Sequence, residues 1–175
     1  MGCDIHSFAE RRNKETNKWE KVEDAFTLDS YDKERMKKDK GEHPFDWRSY
    51  SLFAFLADVR NYDHCEPLAE PKGIPKDVCE EIRSEWEMWE GDGHSASHFT
   101  AKELSDFDYE KTFWNRRVTK QTAPNCWNGA SLAEEGEGTV LTYRENLGEM
   151  FFTHLEELKA LGEPEDVRIV FWFDN

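Results

Sequence analysis

The sequence predicts an α+β fold: a small, mostly antiparallel sheet with three to four helices packed on it. Three observations predict it. The chain opens on a hairpin pattern, closes on a strand that is apolar on nearly both faces, and carries amphipathic helical stripes between the two.

Residues 3–11 read as a strand and 18–23 as its partner, joined by the polar turn Asn13-Lys14-Glu15-Thr16-Asn17. Period-two alternation puts Asp4, His6, Phe8 and Glu10 on one face of that strand. Residues 29–43 are charged and poor in apolar side chains, which predicts an exposed loop or short helix. Ser51 to Val59 is apolar almost all round and predicts a buried helix. Pro67, Pro71, Gly73 and Pro75 mark a rigid loop. Lys76 to Glu90 predicts a helix with Val78, Cys79, Ile82, Trp86 and Trp89 inward, ended by Gly91 and Gly93. The segment Asp92 to His98 then reads as a Gly/Ser-flanked loop. Thr100 and Glu103 form a capping-box pattern for a short helix through Phe107. Phe113 to Val118 is a candidate strand, and 119–139 reads as an irregular loop. Thr142 to Leu161 predicts the longest helix, stopped by Gly162 and Pro164. Val167 to Phe173 predicts the central strand of the sheet.

At 175 residues the chain suits one domain spanning 1–175, and such a length supports a core without staples. Aromatic residues make up 14% of it and carry much of the burial. The net charge is −15, and it is uneven: residues 1–50 hold 11 Lys and Arg against 12 Asp and Glu, so nearly all the excess lies beyond residue 50. That field disfavours direct binding of duplex nucleic acid or an anionic membrane, and suits solubility, a cation or a basic protein surface. No apolar run approaches the ~20 residues of a membrane helix. The four Cys lack C-x-x-C spacing and no secretory pattern precedes them, so free thiols in a reducing cytoplasm are expected.

The stretches Gly2 to His6, Tyr50 to Asn61, Pro67 to Val78, Asp92 to Leu104 and Val167 to Asn175 are individually distinctive. In them the chain resembles a family of uncharacterised bacteriophage and prophage proteins that open Met-Gly-Cys-Asp-Ile-His and close Val-Arg-Ile-Val-Phe-Trp-Phe-Asp-Asn. The resemblance implies an accessory protein acting in the host cytoplasm. It implies no activity, so the chemistry is left to the residues.

Four constellations are candidates. Asp4 and His6, at i and i+2 on one strand face, have the donor types and spacing to share a divalent ion such as Zn, Mn or Fe, with His94 as a third ligand. Asp92 and His98, in the loop beside His94, are the candidate catalytic pair, and an activated water there would hydrolyse a phosphoester or nucleotide. The structural alternative makes Asp4 and the loop histidines partners of backbone groups. Asp4 beside His6 also suits metal-free acid/base chemistry. Arg60 and Arg168, with Trp127, are candidate ligand-binding residues for a small molecule or nucleotide, the alternative being ion pairs with the many acids. Finally, the acidic face around Asp77 to Asp92 is a docking surface for a basic host protein in a non-catalytic counter-defence effector.

Overall fold

The last strand of the chain is the middle of its sheet. A computed structural model describes residues 2–28, 39–89, 91–123 and 126–175, with side chains described outside 119–131. The main sheet contains β1 (Asp4–Arg12), β2 (Trp19–Lys21), β5 (His94–Thr100) and β10 (Val167–Asp174), in the order β2-β1-β10-β5 and antiparallel throughout. From Val167 to Phe173 every residue of β10 is buried, as its two-sided apolar sequence requires. The predicted α+β fold, with its N-terminal hairpin and central C-terminal strand, is the observed one.

Register decides which residues share a face. Asp4 lies opposite Asp174, His6 opposite Trp172, Phe8 opposite Val170 and Glu10 opposite Arg168. Helix α2 (Glu80–Met88) covers this face: Val78, Cys79 and Ile82 form one cluster with Phe8, Val170 and Trp172, flanked by Trp86 and Trp89. Ile169, Phe171 and Phe173 point the other way, beneath α3 (Ala101–Asp106) and α5 (Glu149–Lys159), which both contact β10. The short pair β3 (Phe26–Thr27) and β4 (Lys40–Gly41) packs beside α5. These elements belong to one compact unit, made of Met1–Arg48, Pro71–Phe107 and Glu149–Asn175.

A second unit comprises Ser49–Glu70 and Asp108–Gly148. It holds α1 (Tyr50–Ala57), the ribbon β6 (Thr112–Asn115) with β9 (Thr139–Thr142), the hairpin β7 (Arg117–Ala123) with β8 (Cys126–Leu132), and α4 (Tyr143–Leu147). Ser49 caps α1, whose residues 52–57 are all buried, as its apolar sequence predicts. Asp63 is buried within this unit and accepts from the side chain of Asn146 at 3.0 Å.

Several elements differ from the sequence expectation. The irregular loop predicted over 119–139 is largely the β7–β8 hairpin, whose polar composition hid its pairing. The single helix predicted from Thr142 to Leu161 is two, α4 and α5, separated at Gly148 with φ +78. The expected helix over 76–90 begins only at Glu80, because Pro75 and the turn after it occupy the first residues. The Gly/Ser-flanked loop around His94 is strand β5, drawn straight by the open edge of β10. The capping box of Thr100 and Glu103 forms as predicted. Of the charged loop near 29–43, residues 29–38 lie outside the described residues, while Lys40 and Gly41 pair with Thr27 and Phe26.

Candidate functional site

The N-terminal end of β1 meets the C-terminal end of β10, and ionisable groups concentrate there. The carboxylates of Asp4 and Asp174 stand opposite each other across the two strands. Like charges so placed repel, and each has found a counter-group. Arg48 grips Asp4 with two bonds, Nε to Oδ1 at 2.7 Å and Nη2 to Oδ2 at 2.5 Å. This fork-on-carboxylate geometry holds the Asp4 carboxyl below its ordinary value, against desolvation and with a smaller contribution from His6. The guanidinium lies over Gly2, where a Cβ would stand 3.0 Å from Arg48 Nη1.

Asp174 takes His6. The imidazole Nε2 lies 3.0 Å from Asp174 Oδ2, while Asp174 Oδ1 accepts the backbone N–H of Asp4 at 3.3 Å. The ring is wedged between Trp89, at 4.1 Å between centroids, and Trp172, at 5.9 Å. About a quarter of the His6 side chain, 26%, remains open to solvent. The ring is therefore fixed in angle by two indoles and in rotation by a carboxylate, with one nitrogen committed and one edge still accessible. That is how a carboxylate orients a general base. The sequence suggested Asp4 for this orienting role; the structure gives it to Asp174 and leaves Asp4 to Arg48.

The other predicted site residues are scattered. His94 lies opposite Phe173, with its ring 6.1 Å from that ring, and so projects from the face opposite His6. Its Nδ1 meets Ser95 Oγ at 3.0 Å, and its Nε2 is buried without a hydrogen-bond partner. A β-bulge between Phe171 and Phe173, with Ser95 at φ 52, produces this placement. His98 shares the face of His6 but sits beside Val170, where Nδ1 meets the Gly73 carbonyl at 3.0 Å. Asp92 is exposed in the turn after α2, its backbone N–H bonded to the Trp89 carbonyl. Asp4, His6 and His94 therefore do not converge on one ion. Among the described residues no three His, Cys, Asp or Glu side chains are grouped to hold a metal.

The predicted ligand-binding residues are divided between the two units. Arg168 is 5% exposed and bound to two acids: Nε donates to Glu10 Oε2 at 2.6 Å and Nη1 to Asp77 Oδ1 at 2.9 Å, while Nη2 is buried without a hydrogen-bond partner. Trp19 lies over its guanidinium at 3.9 Å and donates Nε1–H to Asp77 Oδ2 at 2.9 Å. The second oxygen of Glu10 accepts the Cys79 N–H at 2.6 Å, at the N-cap of α2. This is the ion-pair alternative, with a structural role in seating α2. Arg60 belongs to the second unit, in a turn with φ 52 just past α1. The Trp127 side chain lies outside the described residues.

Asp174, Arg48 and Trp89 are the participants that sequence reasoning did not assign to the site. Asp174 carries a weak signal: it is a polar residue in phase with Trp172 at the end of an apolar strand. Arg48 carries none, since only the folded loop brings it to Asp4. When the chain is compared with protein-family models, curated proteins and solved structures, none of them matches it.

Proposed function

We propose that the Asp4–His6–Asp174–Arg48 end of the sheet is a ligand site, and that the chain is a phage-type accessory protein hydrolysing a phosphoester or nucleotide there. The observation that supports this is the 3.0 Å contact of His6 Nε2 with Asp174 Oδ2 on a ring that keeps one edge in solvent. In this reading His6 takes a proton from water as the water oxygen bonds to phosphorus. The P–O bond to the leaving oxygen breaks, and that oxygen is protonated from solvent. Arg48, 56% exposed at its side chain, turns from Asp4 to a phosphate oxygen. A divalent ion carried in with a nucleotide offsets the net charge of −15, which otherwise repels phosphate.

The test is turnover of aryl phosphomonoesters, phosphodiesters and a nucleotide panel by the full chain, with and without Mg²⁺, Mn²⁺ or Zn²⁺. The expected result is activity that falls by about 10²–10⁴-fold in His6→Gln and substantially in Asp174→Asn. No turnover of any of these, or activity unchanged in His6→Gln, overturns the reading.

The second reading is a non-catalytic effector that blocks a basic host protein. It is favoured by the outer face of α2, where Glu80, Glu81 and Glu87 are exposed beside Met88 at 73% exposure. It leads if the hydrolysis tests fail while reversal of those three charges abolishes binding to a basic protein.

A further inference from the structure

His154 holds a residue of the main unit in a conformation that the residue would not choose. The other buried side chains of α5 are Phe151, Leu155 and Leu158, and among them the imidazole is fully buried with both nitrogens engaged. A backbone N–H can only donate, so Nδ1 accepts the Phe45 N–H at 2.9 Å. The ring proton is then on Nε2, which donates to the Thr27 carbonyl at 2.7 Å. Phe45 is a fully buried aromatic residue at φ 57, in the left-handed region that bulky side chains avoid. Such a conformation persists only where the surroundings impose it. Here the bond to the Phe45 amide imposes it, together with ring contacts to His154 at 5.5 Å and Phe151 at 5.0 Å between centroids. Trp47 then stands perpendicular to the imidazole at 5.1 Å.

The next residue of the chain is Arg48, whose fork on Asp4 needs both nitrogens placed within a few tenths of an ångström. From Phe45 to Arg48 the chain reaches about 10 Å at most, so its direction on leaving Phe45 sets where Arg48 stands. Residues 42–49 belong to no helix or strand that could set it instead. The segment has a second anchor in His43, whose Nδ1 meets the Ser7 carbonyl at 3.1 Å and whose ring stands on Phe8. That anchor precedes the turn at Phe45 and does not fix the chain after it.

We propose that His154 is a positioning residue for the Asp4–His6–Asp174–Arg48 site: by accepting the Phe45 N–H it holds the turn that carries Arg48 to Asp4. Its bearing on catalysis rests on the reading of that end of the sheet as a hydrolytic site. The seating of Arg48 does not, and it is read without substrate.

The test is carbon-detected NMR titration of the Asp4 carboxyl in the full chain, for the wild type, His154→Gln, His154→Asn and Arg48→Met, with thermal melts as the folding control. The Asn amide oxygen can stand where Nδ1 stands and accept the Phe45 N–H, whereas the Gln amide reaches the place of Nε2 and leaves that N–H without its acceptor. Both remove the imidazole and its ring contacts, so a merely structural role would move both alike. In His154→Gln the Asp4 carboxyl is expected to titrate at a higher pH, by about half or more of the Arg48→Met shift, and in His154→Asn to return toward the wild type. An Asp4 titration unmoved in folded His154→Gln, or moved equally in the two variants, overturns the proposal. Nitrogen NMR of the wild type needs no variant: a proton on His154 Nδ1, or a Phe45 amide that exchanges as freely as an unbonded loop amide, overturns it as well. A chain that turns over no phosphoester would remove the catalytic bearing and leave the titration result standing.

Discussion

Arg168 and Glu10 form an ion pair at 2.6 Å across β1 and β10, with side-chain exposures of 6% and 0%. The pair joins the sheet to the start of α2, because the other Glu10 oxygen holds the Cys79 amide and Arg168 also holds Asp77. Its value lies in the mutual pairing of the two charges, although Arg168 Nη2 is buried without a hydrogen-bond partner. Each charge is desolvated, and removing one strands the other.

Arg168→Met leaves Glu10 buried with one amide for company. The expected loss is about 3–5 kcal/mol, as for other broken buried pairs. For a chain of this length that corresponds to a fall in Tm on the order of 10 °C. Calorimetry measures it, and a fall under about 3 °C would show the pair to be dispensable.

His154 supplies the clearest pH dependence. It is fully buried; Nδ1 accepts the Phe45 N–H at 2.9 Å, and Nε2–H donates to the Thr27 carbonyl at 2.7 Å. Burial pushes its pKa below the ordinary 6.5, opposed by the Thr27 carbonyl and by Glu157 and Asp46; Lys40 adds to the lowering. Below pH 6.5 the unfolded chain takes up a proton that the folded chain refuses, so this group's contribution to stability is present above 6.5 and is lost as the pH falls through the lowered value. Urea unfolding at pH 7.5 and 5.0 should therefore show a larger decrease for the wild type than for His154→Gln. Equal decreases would contradict the neutral buried ring.

Arg48 is expected to govern the titration of Asp4. Arg48→Met removes both of its bonds to that carboxylate. The Asp4 carboxyl should then titrate at a higher pH than in the wild type, since its main cause of lowering is gone and Asp174 still faces it. Carbon-detected NMR titration reads this directly; an unmoved Asp4 would place the cause elsewhere.

Gly138 and Gly136 provide a paired test of the ribbon's turn. Both have positive φ, +87 and +83. A Cβ on Gly138 would stand 2.5 Å from Trp114 Nε1 and 2.7 Å from the Asn115 carbonyl oxygen, whereas one on Gly136 meets nothing within 4 Å. Gly136→Ala should cost only the backbone strain, roughly 1–2 kcal/mol. Gly138→Ala should cost clearly more in the same denaturation experiment and should change Trp114 fluorescence. Equal costs would mean that Trp114 does not rest on this turn.

Much of the fold was legible in local pattern. The alternation of Asp4, His6, Phe8 and Glu10, the two-sided apolar run of β10, the buried stretch of α1 and the Thr100–Glu103 box are properties of spacing, and the folded chain keeps them. Strand β5 was not legible. His-Ser-Ala-Ser-His-Phe-Thr has weak strand character and is extended because the edge of β10 needs a partner.

The sequence by itself determined that Asp4 and His6 share a face, since a strand turns every second side chain the same way. Only the tertiary structure decided their partners. Antiparallel pairing of the first and last strands set Asp174 beside His6, the loop before α1 delivered Arg48 to Asp4, and a one-residue bulge turned His94 to the opposite face. Register and bulges depend on contacts between segments some 170 residues apart, and no local pattern encodes such a contact.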